Sequence, residues 1–476
     1  MGNNHSREGS PKHGISRNNS GSDLQEKIPS QLLPIDKLAK LLTQKTLEED
    51  SIENGISVST FTRYLFPKYP VLGQRLFHHW QMGAGVVNDT GLMSPANFRA
   101  QADKLMSVMV DDQQIQMYVT MYAENSDTMQ TEQFHNLLLT VYKIAMDHYP
   151  DGPQSCRQLF KTLQAVVDSA FHKKESLPTV YLAHWMEEHC KRLITVLHRY
   201  IVHILTTGFH SVTERINDKN QGLELTTPVL EKAPTPWDKT QPLLPVSQVW
   251  ILAATLPPLY TKPSHHSPTS STNGFSMQNY LAKILDLSCP SHWTLLYNSL
   301  QHGLGANRFS HHVLSYRGPT LTFLRGEQDT EFCIGATQEW QESHLYWGGE
   351  ESIIIQILPL YHVVQRGPKL LYLNMKIRGY PKGIRAGLDP RKPSLDINDS
   401  FTVMTYKGIP YQLQTVEVWG CGTPQSREMQ LDIKKWEVKQ AERQRVVKLS
   451  ANEWSDHPDR YLLELAGRPN YSQSNN

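Results

Sequence analysis

His184, Glu187, Glu188 and His189 place two histidines and two carboxylates, acid–base and metal-ligating types together, within six residues. A zinc hydrolase of the HExxH or HxxEH type sets two histidines four residues apart on one helix face, with the glutamate as general base. Here the histidines are five apart, about 140° around a helix, so both patterns fail and the group reads as helix surface. His265-His266 has no third ligand at useful spacing and reads as a solvated loop. His311-His312 falls at a predicted strand edge, with no serine or carboxylate at a triad spacing. The cysteines, Cys156, Cys190, Cys289, Cys333 and Cys421, are scattered without a CxxC pair. That pattern argues against a zinc ribbon and for reduced thiols in the cytosol. A reactive thiol wants a cationic neighbour or a helix N-terminus, whereas Cys333 and Cys421 lie in or beside apolar strand contexts. No catalytic residue, metal or cofactor is expected.

One covalent chemistry does match a motif. Met1-Gly2-Asn3-Asn4-His5-Ser6 fits N-myristoylation at Gly2, which carries an unhindered α-amino group once Met1 is removed. A single myristoyl chain binds membrane only at roughly 10⁴ M⁻¹, so a second signal is needed. Arg7, Lys12 and Arg17 supply a weak basic patch, each contributing on the order of 1 kcal/mol near anionic lipid. Six serines by position 30 could reverse it by phosphorylation.

The elements that must carry these residues are bounded by composition. A chain of 476 residues suggests two to four domains. Its net charge of +1, with no long basic cluster, argues against nucleic acid as a partner. No apolar run reaches the 18 or more residues of a spanning helix, and no signal peptide is visible, so membrane contact through Gly2 is expected at the surface. Composition shifts divide the chain into a polar N-terminus (1–34), a first helical domain (35–150), a second helical region (151–216), a Pro-rich linker (217–246), a β-rich domain (247–422) and a C-terminal helix and tail (423–476).

In the first helical domain Ile56, Met93 and Met129 each stand five residues before a phenylalanine, and Phe61, Phe98 and Phe134 are 37 and 36 residues apart. This is the helix–loop–helix period of EF-hands, and Gly91 falls at the sixth loop position, where the chain turns sharply. The ligands do not follow. The loop from Val86 to Asn97 has Val first and Asn last. The loop ending at Gln133 begins with Tyr122, and the one beginning with Glu49 closes on Thr60. A hard divalent cation needs six to eight oxygens, several of them charged. The region reads as EF-hand-like scaffolding without calcium, the alternative being a generic helical domain with coincidental phenylalanines. Further on, Leu182, Trp185, Met186, Leu193, Val196, Leu197, Tyr200, Ile201 and Ile204 form one apolar stripe at helical spacing.

From Ser291 to Gly422 the pattern changes to short β-type runs between Gly, Pro, Asn and Asp: Trp293–Tyr297, Leu321–Leu324, Phe332–Gly335, Ser352–Leu358, Leu370–Asn374 and Gln414–Trp419. Their order resembles the TLDc family. The tryptophan-led run before Gly303-Leu-Gly305, Gly318-Pro followed by an apolar strand, Phe332-Cys-Ile-Gly335 with Trp340, Tyr372-Leu-Asn374 and Val416-Glu-Val-Trp419 carry the resemblance. Between Gly379 and Ser400 the chain departs from it, with Gly383-Ile-Arg-Ala-Gly-Leu-Asp-Pro390 in place of a glycine-rich aromatic loop. The expected fold class is α+β: an N-terminal all-α, EF-hand-like helical region, then a mostly antiparallel β-sandwich TLDc domain with peripheral helices, then a C-terminal helix.

Together with the acylation motif and the EF-hand-like region, this is similar to an MTOR-associated subgroup of TLDc proteins on the lysosomal surface. The resemblance implies a non-enzymatic regulatory protein on the cytosolic face of the lysosomal or endosomal membrane. Its implied partners are the peripheral part of the vacuolar proton-pumping ATPase and MTOR complex components. The other role the family implies is oxidation resistance. The exposed, charged segment from Arg427 to Leu449 and the short apolar patch after it make Trp436, Leu462 and Leu463 candidate partner-binding residues, with Glu417 on the closing strand next.

Overall fold

The computed structural model describes residues 34–51, 55–83, 91–147, 158–217, 244–261 and 293–445, with Leu462 and Leu465 beyond them. Gly2, His265, His266, Cys156, Cys289 and Leu463 lie outside these residues. Among the described residues no helix is long and apolar enough to cross a membrane.

The helical half is built from helix–loop–helix units. They are α1 (Pro34–Asp50) with α2 (Val58–Leu65), α3 (Pro70–Gly83) with α4 (Pro95–Ser107), α5 (Asp111–Tyr122) with α6 (Thr131–Ala145), and α7 (Leu159–Phe171) with α8 (Thr179–His189). Ser57 and Ser94 cap α2 and α4, each accepting from the backbone N–H three residues on, and Pro95 takes the first turn of α4. The loops pair two by two. Ile56 and Met93 exchange backbone hydrogen bonds of 2.8 and 3.0 Å. Strands β1 (Thr128–Gln130) and β2 (Ser176–Pro178) put Met129 opposite Leu177. Five residues beyond each paired residue a large apolar side chain enters the core: Phe61, Phe98, Phe134 and, in the fourth unit, Leu182.

Two acids at the start of the first loop are engaged within the protein. Asp50 accepts hydrogen bonds from the Ser57, Ser59 and Thr60 hydroxyls, which hold its carboxyl below the usual range. Glu49 pairs with Arg63 at 2.7 Å. The fourth loop carries Lys173 and Lys174.

The apolar stripe from Leu182 to Ile204 does not form one helix. Helix α8 ends at His189, and α9 (Thr195–Asn217) restarts after a turn. Tertiary hydrogen bonds outweigh helix continuation here. Arg192 in that turn caps the C-terminus of α10 (Val246–Thr255), donating its backbone N–H to Ala254 O at 3.1 Å and its guanidinium to the carbonyls of Ala253 and Leu256.

The β half is a sandwich of two antiparallel sheets that share one long strand. After the short α11 (Pro258–Thr261) come β3 (Thr294–Asn298), α12 (Ser299–His302), α13 (Ala306–Val313), β4 (Thr320–Gly326), β5 (Glu331–Ala336), β6 (Ile353–Leu358), β7 (His362–Arg366), β8 (Leu371–Asn374), β9 (Gly383–Ala386), β10 (Leu395–Ile397), β11 (Val403–Tyr406) and β12 (Ile409–Gly420), with α14 (Pro424–Arg445) last. The hydrogen-bonded order is β7-β6-β5-β4-β12-β11-β10-β9-β8, and β3 also pairs with β12. The first half of β12 pairs with β11 and its second half lies between β3 and β4. The one strand thus belongs to both layers.

The six runs read from sequence coincide with β3, β4, β5, β6, β8 and β12. Strands β7, β9, β10 and β11 were not anticipated, and two of them lie in the stretch that departs from the family pattern. Gly383 has φ +120°, and a Cβ there would overlap the Ile397 carbonyl oxygen. Glycine is what lets β9 approach β10.

Period-2 alternation assigns the two faces of the first sheet. Phe332, Ile334 and Ile354 point into the sandwich core. Cys333, Ile353, Ile355 and Ile357 point the other way, into a core continuous with the helical half. Between the two lies α10, whose residues from Ser247 to Ala254 are all buried, the state expected of a helix that is apolar all round. Trp250 packs edge-on to Tyr142 at 5.1 Å, and Ser247 shares a 2.9 Å hydroxyl contact with Thr162. Gln248 donates to the buried carboxylate of Glu331 at 2.7 Å.

Candidate interaction surface

The helical half settles which surfaces of the sandwich a partner could meet. It covers the outer face of the first sheet and its edge. Tyr361 N–H donates to Ala165 O at 3.0 Å, and Val363 N–H on the edge strand β7 donates to His189 Nδ1 at 3.2 Å. An edge strand left open is a template for stray pairing, and here α8 engages the first part of it through that bond. His189 is therefore not a helix-surface residue, as its spacing suggested. Burial first, then the neighbouring His362, lowers its pKa from the ordinary 6.5 to about 4. His184, in contrast, is exposed beside Glu187 and Glu188, at 3.6 and 3.7 Å.

Helix α14 leaves the sandwich. Its first two turns are tied down through Gln430, which is fully buried. The Gln430 amide donates to the carbonyls of His312 and Leu314, both at 3.0 Å, at the end of α13. Tyr316 fixes the entry, its hydroxyl accepting the Gly422 N–H at 2.9 Å. Beyond Gln430 the helix stands out from the protein. Met429, Ile433 and Trp436 recur at i, i+4, i+7 and form a stripe along one side. Trp436 is 61% exposed, Met429 is 44% exposed and Ile433 is partly buried. Leu431 and Val438, also exposed, lie on the far side. The stripe was legible only once the start and anchored face of the helix were known.

The other candidates fare unevenly. Leu462 is 63% exposed, while Leu463 is outside the described residues. Glu417 is corrected: it is 2% exposed, in the middle of β12, and accepts a 3.0 Å hydrogen bond from Asn298 on β3. Its carboxylate braces two strands and presents nothing to a partner. His311 and His312 are also corrected, from a strand edge to the last turn of α13. Their rings belong to a group with His302 and Tyr297, the His302 and His312 rings stacking at 3.9 Å between centroids. The Cys190, Cys333 and Cys421 thiols are buried, and burial pushes each pKa up, away from a reactive thiolate.

A shared-strand antiparallel sandwich with a closing C-terminal helix is the architecture in which these surfaces sit. Residues 269–438 match the TLDc domain, so the chain carries a TLDc domain that takes in the anchored part of α14 and the stripe on it. Three fungal proteins, each named Restriction of telomere capping protein 5, are similar to the chain. The one from Zygosaccharomyces rouxii is 25% identical, over 42% of this chain and 43% of its own length. That from Lachancea thermotolerans is 27% identical, over 32% of each. That from Pyricularia oryzae is 23% identical, over 36% of this chain and 40% of its own. In each case the match spans less than half of the relative.

Proposed function

We propose that this chain is a non-enzymatic regulatory protein of the lysosomal and endosomal surface. Held on the cytosolic face by myristate at Gly2, it binds the peripheral part of the vacuolar proton-pumping ATPase and supports MTOR signalling. The resemblance of the acylation motif, EF-hand-like helices and TLDc domain to the MTOR-associated subgroup motivates the reading. The observation that carries it is α14: a helix anchored by one buried glutamine and displaying an apolar stripe that the described residues leave largely uncovered, the form in which helices engage a groove on another protein.

The test is co-purification of the ATPase with the full-length chain from detergent-solubilised lysosomal membranes. Met429→Ala with Trp436→Ala should abolish it while leaving the melting temperature within about 2 °C, since surface changes cost little. Gly2→Ala should release the protein from membranes before detergent is added. Undiminished ATPase recovery with the folded stripe variant would refute the docking role. Membrane retention of Gly2→Ala would refute the lipid anchor alone. Oxidation resistance is the competing role. It calls for peroxide consumption by the purified chain that falls when Cys333 and Cys421 are replaced, and the burial of both thiols weighs against that result.

A further inference from the structure

Where α14 crosses the end of α13, five basic side chains gather. Gln430 ties the two helices together, so Arg427 and Lys434, three before and four after it, lie on the same face of α14, toward α13. From the other side come His311 and His312 at the end of α13 and His302 at the end of α12. The His302–His312 stack at 3.9 Å and the edge-on contact of His311 with His312 at 5.0 Å bind the imidazoles into one group.

None of the five forms an ion pair with a carboxylate among the described residues. Arg427 donates to the neutral Gln430 Oε1. Lys434 is partly buried, and burial, followed by the charge of Arg427, lowers its pKa to about 8, while Glu437 acts more weakly the other way. Burial, then His302 and Lys434, lowers His312 to about 4. His312 is thus neutral near pH 7, and His302 Nδ1 accepts the Asn298 N–H at 3.2 Å, so Arg427 and Lys434 are the cations of the group, and desolvating a cation without a partner is costly. The bland account is that the carbonyl end of α13 favours nearby positive charge. Yet two of its carbonyls are already taken by the Gln430 amide. What Arg427 and Lys434 lack among the described residues is a paired anion.

We propose that Arg427 and Lys434, beside the His302, His311 and His312 group, bind an acidic segment of a partner protein. The proposal rests on α14 being a docking helix and specifies the chemistry of its partner. Protein fits better than lipid because the charge is local. Past Lys434, α14 mixes Lys435, Lys439 and Arg443 with Glu437 and Glu442, and so lacks the continuous basic face of a membrane-surface helix.

The test uses the full-length chain and fluorescein-labelled decaglutamate, read by anisotropy. Binding is expected at low salt, weakening as NaCl rises from about 50 to about 300 mM, with decaglutamine not bound. Arg427→Gln with Lys434→Gln should weaken it about tenfold or more. Lys434→Glu should abolish it while leaving the circular dichroism and melting temperature of the chain unchanged, which separates loss of the site from unfolding. Absence of decaglutamate binding, or equal binding by these variants, overturns the proposal. So does phosphatidylserine vesicle recruitment that the same variants abolish, if decaglutamate fails to compete, because the site then serves a membrane. Met429→Ala with Trp436→Ala should retain decaglutamate binding while losing the ATPase. Failure of the charge cluster and failure of the docking helix are thereby separate results.

Discussion

Gln430→Met tests how α14 is held. Methionine keeps the length and packing of the side chain but removes its amide donors. The His312 and Leu314 carbonyls then lose hydrogen bonds of 3.0 Å each, and Arg427 loses its Oε1 acceptor. Carbonyls at the end of a helix have no acceptor role left within it, so no internal partner replaces the amide. Two hydrogen bonds contribute about 0.5–1.5 kcal/mol each, and a buried polar group left unmatched costs about 1–3 kcal/mol. Water can reach the edge of this junction, which favours the lower part of the range, about 2–3 kcal/mol in all. The loss is confined to the α13–α14 contact, because Gln430 touches no strand of the sandwich through hydrogen bonds. Native-state hydrogen exchange should therefore show α13 and the first turns of α14 losing protection by about 30- to 150-fold, with the amides of β4, β5 and β12 unchanged. Unchanged protection in α14 would mean that something other than Gln430 holds it. Loss of protection throughout the sheet would mean that α14 is part of the domain's core, and the idea of a separable docking helix would fail with it.

Phe98→Ala should destabilise the helical half by about 3–5 kcal/mol in urea unfolding, since Phe98 is fully buried against Phe61 and Trp80, at 6.2 and 5.7 Å. Glu331→Gln should cost about 2–3 kcal/mol: Arg325 donates to this buried carboxylate at 2.6 Å but is itself partly exposed, so its stranded charge is relieved by water. Arg325→Met combined with Glu331→Met should recover only part of that loss, because the buried Gln248 amide still lacks its acceptor, and strict additivity in the double-mutant cycle would deny the coupling. His189 is held neutral in the fold, so its contribution is complete above pH 6.5 and is lost as pH falls through about 4, where protonation also takes the Nδ1 lone pair from Val363 N–H. The melting temperature should accordingly fall over that window, and fall less in His189→Gln; an identical pH profile for the variant would exclude His189 as a cause.

What could be read before the structure follows from how local each signal is. The phenylalanine period found three helix–loop–helix units because the residue entering the core is Phe61, Phe98 or Phe134. The fourth unit has Leu182 in that place and a longer interval before it, so the same geometry was silent in the same code. Strands β5 and β6 announced themselves because both of their faces are buried and nearly every position is apolar. Strands β7, β9, β10 and β11 are short, and three of them alternate with half-exposed residues, leaving little apolar run to detect. The helix end at His189 was hidden for a different reason, since the hydrogen bonds that stop it come from α10, some sixty residues away in sequence. Glu417 shows the limit for site prediction. A glutamate on a terminal strand looks available until its neighbours Asn298 and the flanking β3 and β4 are known. The Met429–Ile433–Trp436 stripe was equally invisible as a stripe, because sequence spacing shows which residues share a face but not which face the protein covers.

The burial of both faces of the first sheet constrains any account of partner binding. One face forms the sandwich core and the other joins the helical half through α10. A partner that reaches the TLDc domain in this conformation must therefore use the second sheet, the connecting loops or α14. Among the described residues the hydrogen bonds that hold the halves together run from α7, α8, α10 and α11 to the β4–β7 side of the sandwich and, through Trp293 and Tyr260, to the start of β3, whereas those of α14 run to α13 and within itself. Docking through α14 thus requires no opening of the helical half. Docking on the outer face of the first sheet would require breaking the Gln248–Glu331 and Val363–His189 contacts together and exposing Cys333, Ile353 and Ile355. The two modes differ in a measurable way. If the partner uses α14, its affinity should be insensitive to Gln248→Ala. If it competes with the helical half for the sheet, loosening that contact should strengthen binding, and tighter binding by Gln248→Ala would move the interface from the helix to the sheet.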